Sequence, residues 1–500
     1  MKKFVIALGL LFSCAAITKA QSDEDALRFS QLTVGGTARF IGAGGAFGAL
    51  GADFGSLSFN PAGIGVYRSS EMSFTPSVSW TNSKTNFQNI QNDATESRFN
   101  VSNFGVVFAS DLTRKNSVNK WKRLNFGFGA NRTNDFNRST YYRGFNEDNS
   151  LVDYYLEELN EGNGTPPSQI TNNYPFSAAL AWESYLVNPN FSDTNHYYSV
   201  IPDGHVQQDK LIDESGSATE YVFTIGSNYD DRLFLGATFG MPSLHYTSSS
   251  SYVETDVNNE ISNFSNFQLY DNLATSGIGF NGKFGLAYMV NEWIRFGGAF
   301  HSPTIYYLHD EYSSYINAVL DTSQGASYST PFGVYDYALV TPYRAIGSAA
   351  VFFKQYGFIS VDYEFVDYGY MHYKFNNYAP LEEQAVENSL NQTIDLKYKS
   401  ASNIRIGGEF AYEIFRFRAG FGYYGSPFKE GIATEGYDYS RTNISGGFGL
   451  KLNSFTIDAA YMHTSSKEYY QPYSLNSEFV PGVGIDKNAG NVVLTMAYKF

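Results

Sequence analysis

Nine charged side chains share one property: each lies on the polar face of a stretch whose opposite face is apolar. They are Lys283, Arg295, Asp362, Glu364, Arg405, Glu409, Arg416, Arg418 and Asp458. A charge facing lipid would cost about 2–4 kcal/mol, so this placement predicts a polar interior. Arg295, Arg405, Arg416 and Arg418 are candidate contacts for an acidic head group, because a guanidinium matches the geometry of a carboxylate. The structural alternative is that they pair with neighbouring Asp and Glu or with an internal plug.

The residues that carry nucleophilic or metal chemistry are few and dispersed. The seven histidines fall mostly near loops and strand ends, and no nucleophile elbow is present. The only cysteine, Cys14, lies in the N-terminal leader, which excludes a disulfide framework and a thiolate zinc site in the rest of the chain. We therefore predict no enzymatic activity, no metal and no cofactor. Haem binding stays open, because His301 and His309 lie beside Tyr306 and Tyr307 and a haem needs only one axial ligand.

Strict alternation of apolar and polar residues predicts the strands that would position these side chains. Residues 71–80 read "EMSFTPSVSW", and the chain ends on an alternating stretch that closes with Phe500. The predicted strands are approximately 71–81, 99–111, 122–142, 206–228, 232–247, 276–290, 293–308, 342–353, 357–371, 395–411, 415–424, 438–452, 455–466 and 489–500. Fourteen is an even number, as in outer-membrane barrels; if 122–228 merges two pairs of shorter strands, the count is sixteen.

Short turns alternate with long polar connections along the chain, which is the arrangement of an outer-membrane barrel. The long connections fall at about 82–98, 248–275, 310–341, 373–394, 425–437 and 467–488. The longest, about 143–205, contains "SLVDYYLEELN" and "PFSAALAWESYL", whose apolar spacing predicts short helices.

Composition supports a membrane barrel and excludes other classes. Aromatic and charged residues each make up 17% of the chain, whereas soluble domains carry about 25% charge. The net charge of −15 argues against nucleic acid as a partner. Lys2 and Lys3 precede an apolar run that ends at Ala16, and a small-residue site follows, so residues 1–20 are predicted to be a signal peptide cleaved after Ala20. A lipoprotein cysteine at Cys14 is the alternative.

A glycine-rich run precedes the first strand. Residues 40–66 read "FIGAGGAFGALGADFGSLSFNPAGIGV", with eight glycines and almost no charge. The lumen of a fourteen-stranded barrel is too wide to be filled by its wall, so a plug is needed. We predict a hatch over 21–69 and a barrel over 70–500. A nucleotide-binding loop is disfavoured, because "GAGGAFG" does not match G-x-G-x-x-G and lacks the P-loop lysine.

These segments resemble the FadL/TodX family of outer-membrane transporters of hydrophobic compounds. The resemblance rests on the glycine run, on "GKFGLAYMVNEWIRFGGAFHSPT" and, more weakly, on "RAGFGYYGSPF". The residues that carry the hatch motif are Gly42, Gly44, Gly45, Gly48, Asn60, Pro61, Ala62 and Gly63.

The resemblance implies an all-β, fourteen-stranded transmembrane barrel with an N-terminal hatch, and a ligand that leaves sideways through the wall. A kink is then expected in the third strand, where Gly127 and Gly129 would weaken pairing, unless they only make room for the hatch. The expected function is outer-membrane transport of long-chain fatty acids or other hydrophobic molecules. A haem receptor and a non-transport anchor are the alternatives. The expected partners are a hydrophobic ligand, lipid and lipopolysaccharide, and the barrel assembly machinery through the strand ending at Phe500.

Overall fold

Fourteen antiparallel strands close into a barrel in the computed structural model, which describes residues 21–113, 119–321, 323–375 and 380–500. The strands are β1 (Glu71–Phe87), β2 (Ile90–Asp111), β3 (Trp121–Asp135, then Arg138–Asn146), β4 (Val206–Tyr229), β5 (Leu233–Thr255), β6 (Asn266–Met289), β7 (Ile294–His301, then Ile305–Leu320), β8 (Ser323–Ser329, Gly333–Val340 and Arg344–Phe352), β9 (Gly357–Asp367, then His372–Lys374), β10 (Ser400–Tyr412), β11 (Phe415–Tyr424), β12 (Arg441–Leu452), β13 (Phe455–Tyr470) and β14 (Val483–Lys499). Each strand pairs with its neighbour in sequence, and β14 pairs back with β1. The predicted count of fourteen is confirmed.

The alternation of the sequence sorts side chains between the outside and the lumen. On β1, Met72, Phe74 and Val78 are each more than two-fifths exposed, whereas the intervening Ser73 and Thr75 are buried. Exposed large apolar side chains recur on the outer face of every strand, which forms the apolar band that an outer-membrane barrel presents to lipid. The protein is thus a β-barrel of the bacterial outer-membrane type.

Several of the long polar connections predicted from the sequence are wrong, because the strands continue through them. Residues 82–98 complete the β1–β2 hairpin, 248–275 belong mostly to β5 and β6, and 310–341 belong mostly to β7 and β8. Pairing goes on beyond the apolar band, where both faces of a strand contact water or loops and strict alternation is lost. Polarity therefore marks the membrane boundary and not the end of the strand.

Two helical insertions cover the end of the barrel away from the C-terminus, which is the extracellular end because the opposite turns are short. The first lies between β3 and β4 and contains α3 (Leu151–Asn160), α4 (Ile170–Asn173) and α5 (Ala178–Glu183), so the helices predicted there are confirmed. The second contains α6 (Leu381–Lys397), between β9 and β10.

Residues 22–69 lie inside the barrel and are called the hatch here. They form α1 (Asp23–Ser30), α2 (Ala38–Gly42) and two 3₁₀ turns, Gly55–Ser58 and Pro61–Val66. Every residue from 40 to 51 is buried. At the upper end, the Lys397 ammonium of α6 lies 3.0 Å from the Asp23 carboxylate of α1, so the second insertion lies over the start of the hatch.

The predicted signal peptide, residues 1–20 with Cys14, lies outside the described residues. None of the described helices is long and apolar enough to cross a bilayer.

Candidate functional site

The wall of the barrel is interrupted between β2 and β3. Below the interruption the two strands pair from Asn103↔Asn131 to Asp111↔Arg123. After Phe136 and Asn137, the upper part of β3 pairs only with β4, from Arg138↔Glu214 to Asn146↔Val206. In the described pairings, residues 90–102 of β2 therefore pair with β1 alone. The upper half of β2 has a free edge, which is a gap in the wall.

The upper part of β3 bends into the lumen and lies against β1. The Thr85 hydroxyl donates to the Tyr141 carbonyl at 2.6 Å, and the rings of Phe87 and Tyr142 pack with centroids 5.0 Å apart. At the bend, the Ser79 hydroxyl of β1 donates to the Asp135 carboxylate at 2.9 Å. These contacts fasten the upper part of β3 to β1 while it stays unpaired with β2, so the interruption is supported by specific partners.

The gap lies within the outer part of the apolar band. Phe99 and Val101 on the free edge are 71% and 46% exposed, and they stand opposite Val78 and Pro76 of β1. Below them, nine residues of β2 remain paired with β3, close to the length that crosses the hydrocarbon layer. A molecule leaving through the gap would enter the outer part of the membrane.

The sequence-based prediction that Gly127 and Gly129 weaken this strand is wrong. Both residues are paired on each side, with β2 and with β4. A Cβ at Gly127 would lie 3.0 Å from Ile64 Cδ1, and one at Gly129 would lie 2.6 Å from Phe54 Cζ. These glycines make room for the hatch, which was the alternative interpretation, and the interruption occurs further along the strand.

A cavity of about 390 Å³ lies between the hatch and the wall beside the gap. It is bounded by Leu27 of the hatch, Phe136 of the interruption, Ile212 of β4 and Met462 of β13, and Asn100 of the free edge also lines it. Its volume is in the range of small-molecule sites, which bind through apolar walls and a few placed polar groups.

The cavity carries more positive than negative side chains. Six basic residues line it, Arg28, Arg132, Arg138, Lys210, Arg441 and Lys487, against four carboxylates, Glu24, Asp135, Glu214 and Glu468. Among the described residues, neither Lys210 nor Arg441 forms an ion pair with a carboxylate: Lys210 donates to the Tyr470 hydroxyl at 2.9 Å and Arg441 to the Leu32 carbonyl at 3.2 Å. These two cations are available to an anionic group on a ligand.

An ion pair separates the cavity from a groove on the outside of the wall. The groove, of about 560 Å³, lies beneath the free edge of β2 near Arg98. Arg138 and Glu214 line both spaces and pair with each other. Glu214 also lies 3.4 Å from Arg28 of α1, and Arg138 lies 2.5 Å from Glu468 of β13. This group of charges connects the hatch to the gap.

The four arginines proposed as head-group contacts do not line the cavity. Arg295 donates to the hatch carbonyls of residues 49 and 50, and Arg405 pairs with the Glu364 carboxylate at 2.9 Å. Arg418 bridges the Glu409 and Asp458 carboxylates. Arg416 donates to backbone carbonyls at the periplasmic end of β11. The structural alternative, pairing with acidic neighbours or with the hatch, describes the contacts of Arg295, Arg405 and Arg418, whereas Arg416 bonds only the backbone of its own turn.

The hatch motif is where the hatch touches the wall most closely. Asn60 accepts a hydrogen bond from the Ala62 amide at 3.0 Å and donates to the Gly48 and Leu286 carbonyls at 2.5 and 3.2 Å. The Gly48 amide donates to the Asp362 carboxylate of β9 at 3.1 Å. A Cβ at Gly48 would lie 2.0 Å from the Ser348 hydroxyl oxygen; glycine is required there because the hatch backbone lies directly on β8.

Of the other hatch-motif residues, Gly42, Gly44 and Pro61 also contact the wall, whereas Gly45 and Gly63 pack against other residues of the hatch. Gly44 has φ +65°, which favours glycine, and a Cβ there would lie 3.1 Å from the backbone of Gly420 on β11. Pro61 begins the second 3₁₀ turn, a position that needs no backbone donor.

The two histidines considered for haem do not converge. His301 is buried and hydrogen-bonds the Phe59 carbonyl of the hatch at 2.8 Å, whereas His309 is on the outer face, 2.6 Å from the Asp336 carboxylate. No cluster of three or more His, Cys, Asp or Glu able to hold a metal occurs among the residues that the structure describes.

Solved structures share this architecture. The toluene transporter TodX of Pseudomonas putida superposes with a TM-score of 0.51 at 12% identity, covering 94% of this chain and 99% of TodX. A FadL homologue from Pseudomonas aeruginosa superposes with a TM-score of 0.52 at 13% identity, covering 94% and 99%. The chain has the FadL/TodX fold. No protein-family model and no curated protein sequence matches it.

Sequence analysis missed the wall interruption and the cations of the cavity. A signal for the first is present: "NDFN", residues 134–137, places turn-forming Asn and Asp inside a predicted strand. No local sequence pattern identifies Lys210 or Arg441 as cavity residues, because only the closure of the barrel brings both to the same cavity.

Proposed function

We propose that this protein is an outer-membrane channel for hydrophobic small molecules. One observation carries the proposal: a ligand-sized cavity adjoins a gap in the wall at the level of the apolar band. TodX, a toluene transporter, and the FadL homologue share this fold, which supports the proposal.

The route that we propose enters from the extracellular end, reaches the cavity beside α1 and leaves through the gap into the membrane. The free energy of an apolar molecule falls when it passes from water into lipid, so a sideways exit into the membrane is thermodynamically favourable, whereas release into the periplasm is not. The Arg138–Glu214 pair lies between the cavity and the outer groove. We infer that it is the gate of this exit.

As the ligand class we propose a long-chain fatty acid. Its chain would lie along the apolar residues of the cavity, and its carboxylate would take Lys210 or Arg441 as counter-ion, because neither has an acidic partner among the described residues. Uncharged hydrocarbons are the second class to test. Binding, and not catalysis, is the chemistry proposed.

The outer surface suggests the remaining partners. The apolar band would contact lipid and lipopolysaccharide, and Phe500, 59% exposed, ends the last strand, where we propose that the barrel assembly machinery binds.

The test combines ligand identification with a blocked cavity. Ser248 lines the cavity, so Ser248→Trp is expected to abolish uptake, whereas His245→Trp, at an exposed position of the same strand that lines neither the cavity nor the groove, is the matched control. Native mass spectrometry of protein from outer membranes is expected to show a retained fatty acid, and proteoliposomes are then assayed with oleate and with toluene. Lys210→Met is expected to weaken oleate binding and to leave toluene unchanged.

Either of two results would contradict the proposal. Equal uptake by Ser248→Trp and the wild type would show that the cavity is not on the route. A barrel that stays empty when offered oleate, toluene and haem would indicate an anchoring role.

A further inference from the structure

A buried carboxylate on β7 has polar contacts but no cation. Asp310 is fully buried. It accepts hydrogen bonds from the Thr275 hydroxyl at 2.6 Å, the Gln21 side-chain amide at 2.9 Å and the Tyr337 hydroxyl at 3.2 Å. It lies above the apolar band, because the outward neighbour Glu311 is charged and half exposed.

The negative charge of the Asp310 carboxylate has no counter-ion in its immediate surroundings. In the part of the chain that the structure describes, no Lys, Arg or His nitrogen lies within 4 Å of it. Two cations that contact α1 have other acidic partners: Lys397 pairs with Asp23, and Arg28 pairs with Asp25. Burial without a counter-ion raises the pKa of Asp310 to about 6.

Gln21 brings the start of the predicted mature chain to this carboxylate. Its side chain is 5% exposed, and its Oε1 atom has no hydrogen-bond partner among the described residues. Hydrolysis of the Ala20–Gln21 amide by water yields a carboxylate on Ala20 and an amine on Gln21, which is protonated at neutral pH because its pKa is about 8. The Gln21 side-chain amide is 2.9 Å from the Asp310 carboxylate, so the main-chain nitrogen of the same residue is separated from Asp310 by at most the length of this side chain and one hydrogen bond.

We propose that Asp310 is the binding site for the α-ammonium group of the mature chain, so that signal-peptide removal completes an ion pair fastening the hatch to β7. The ammonium supplies the missing charge and a donor for the orphan Gln21 oxygen. Because α1 follows directly and carries Arg28, which contacts Glu214, the pair also positions the gate. The inference depends on cleavage after Ala20 and not on any transported ligand.

The test measures the reactivity of the α-amine in the purified full-length mature protein. Intact mass and N-terminal peptide analysis are expected to show a chain that begins at Gln21 with a free amine. Acylation at pH 7.5 with an N-hydroxysuccinimide ester is expected to be about tenfold slower than in the urea-unfolded protein, the effect of one unit of amine pKa. Asp310→Asn is expected to bring the rate close to that of the unfolded chain, while Asp336→Asn, an exposed carboxylate on β8, is expected to leave it unchanged.

Several results would overturn the assignment. They are a different N-terminus, a chain lighter by one ammonia because Gln21 has cyclised, or equal acylation in the folded and unfolded protein. If Asp310→Asn does not give the heat-modifiable band of a folded barrel, the test uses the wild type instead and measures how the acylation rate of its α-amine depends on pH. A midpoint above that of the unfolded chain supports the ion pair, and a midpoint at or below it contradicts it. Transport is not part of the readout, so a failed transport proposal leaves the test valid.

Discussion

Replacing Asn60 should release the hatch without unfolding the barrel. Asn60 precedes the 3₁₀ turn Pro61–Val66 and caps it through the Ala62 amide. Its side-chain amide donates to one hatch carbonyl, that of Gly48, and to one wall carbonyl, that of Leu286. One side chain therefore joins two parts of the hatch and fixes both to β6.

The magnitude of the Asn60→Ala effect follows from these contacts. A lost N-cap costs about 1 kcal/mol, and each lost amide hydrogen bond costs about 1 kcal/mol. The sum, about 3 kcal/mol, raises the population of undocked hatch about a hundredfold. Asn60→Ser keeps a capping hydroxyl and loses only the two hydrogen bonds that the side-chain amide donates, so it should cost about 2 kcal/mol and raise that population about thirtyfold.

Hydrogen exchange of the hatch amides measures this population directly. In detergent or nanodiscs, the amides of residues 44–66 are expected to exchange about a hundredfold faster in Asn60→Ala, with the exchange of β10–β13 unchanged. Asn82→Ala is the control, since Asn82 bonds Thr95 on the exposed part of the β1–β2 hairpin. The reasoning is refuted if hatch exchange stays at the wild-type rate, or if barrel and hatch exchange rise together.

Three further predictions concern the hatch, the gate and the first insertion. A Cβ at Gly42 would lie 3.4 Å from that of Ala460, close to the Cβ–Cβ distance of about 3.5–4.5 Å in disulfides. Oxidation of the double variant Gly42→Cys/Ala460→Cys should therefore stop uptake, and a reductant should restore it. Uptake that oxidation does not change would show that the hatch need not move; the two single variants are the controls. Glu214→Gln removes the carboxylate that joins Arg28 to Arg138, each of which keeps one other acidic partner. It should raise the dissociation rate of bound oleate about tenfold or more, measured by stopped-flow fluorescence; an unchanged rate would exclude the gate. Burial raises the pKa of Asp153 to about 7, so docking of α3 is favoured while Asp153 is protonated and weakens as the pH rises through 7. Hydrogen exchange of the α3 amides, corrected for intrinsic rates, should therefore increase from pH 5 to 8 in the wild type and stay level in Asp153→Asn.

Much of the architecture was predictable because it depends on local patterns. Alternation with period two is a property of each strand alone, and the lipid outside makes it strict across the apolar band. The glycine run could be placed in the lumen because it is largely apolar, has a single charged residue and lies next to the first strand. The lumen side of Asp362, Glu364, Arg405 and Arg418 followed from parity, and these residues are buried.

The roles of charged residues could not be predicted, because parity says which face a side chain occupies and not which partner it meets. Arg405 and Arg418 lie on the expected face, but acidic neighbours on adjacent strands neutralise them. Lys210 and Arg441 are separated by 231 positions in the chain, and only the closed barrel places both around one cavity.

The sequence by itself determined the barrel, the number of strands, the outward apolar band and the presence of an internal segment. Tertiary structure alone decided where the wall opens, which cations stay unneutralised and that Gln21 meets Asp310. The physical reason is that burial of an apolar face is repeated at every strand and needs no particular partner. A gap or an ion pair depends on a few atoms from distant segments, and their distances exist only after the chain has closed on itself.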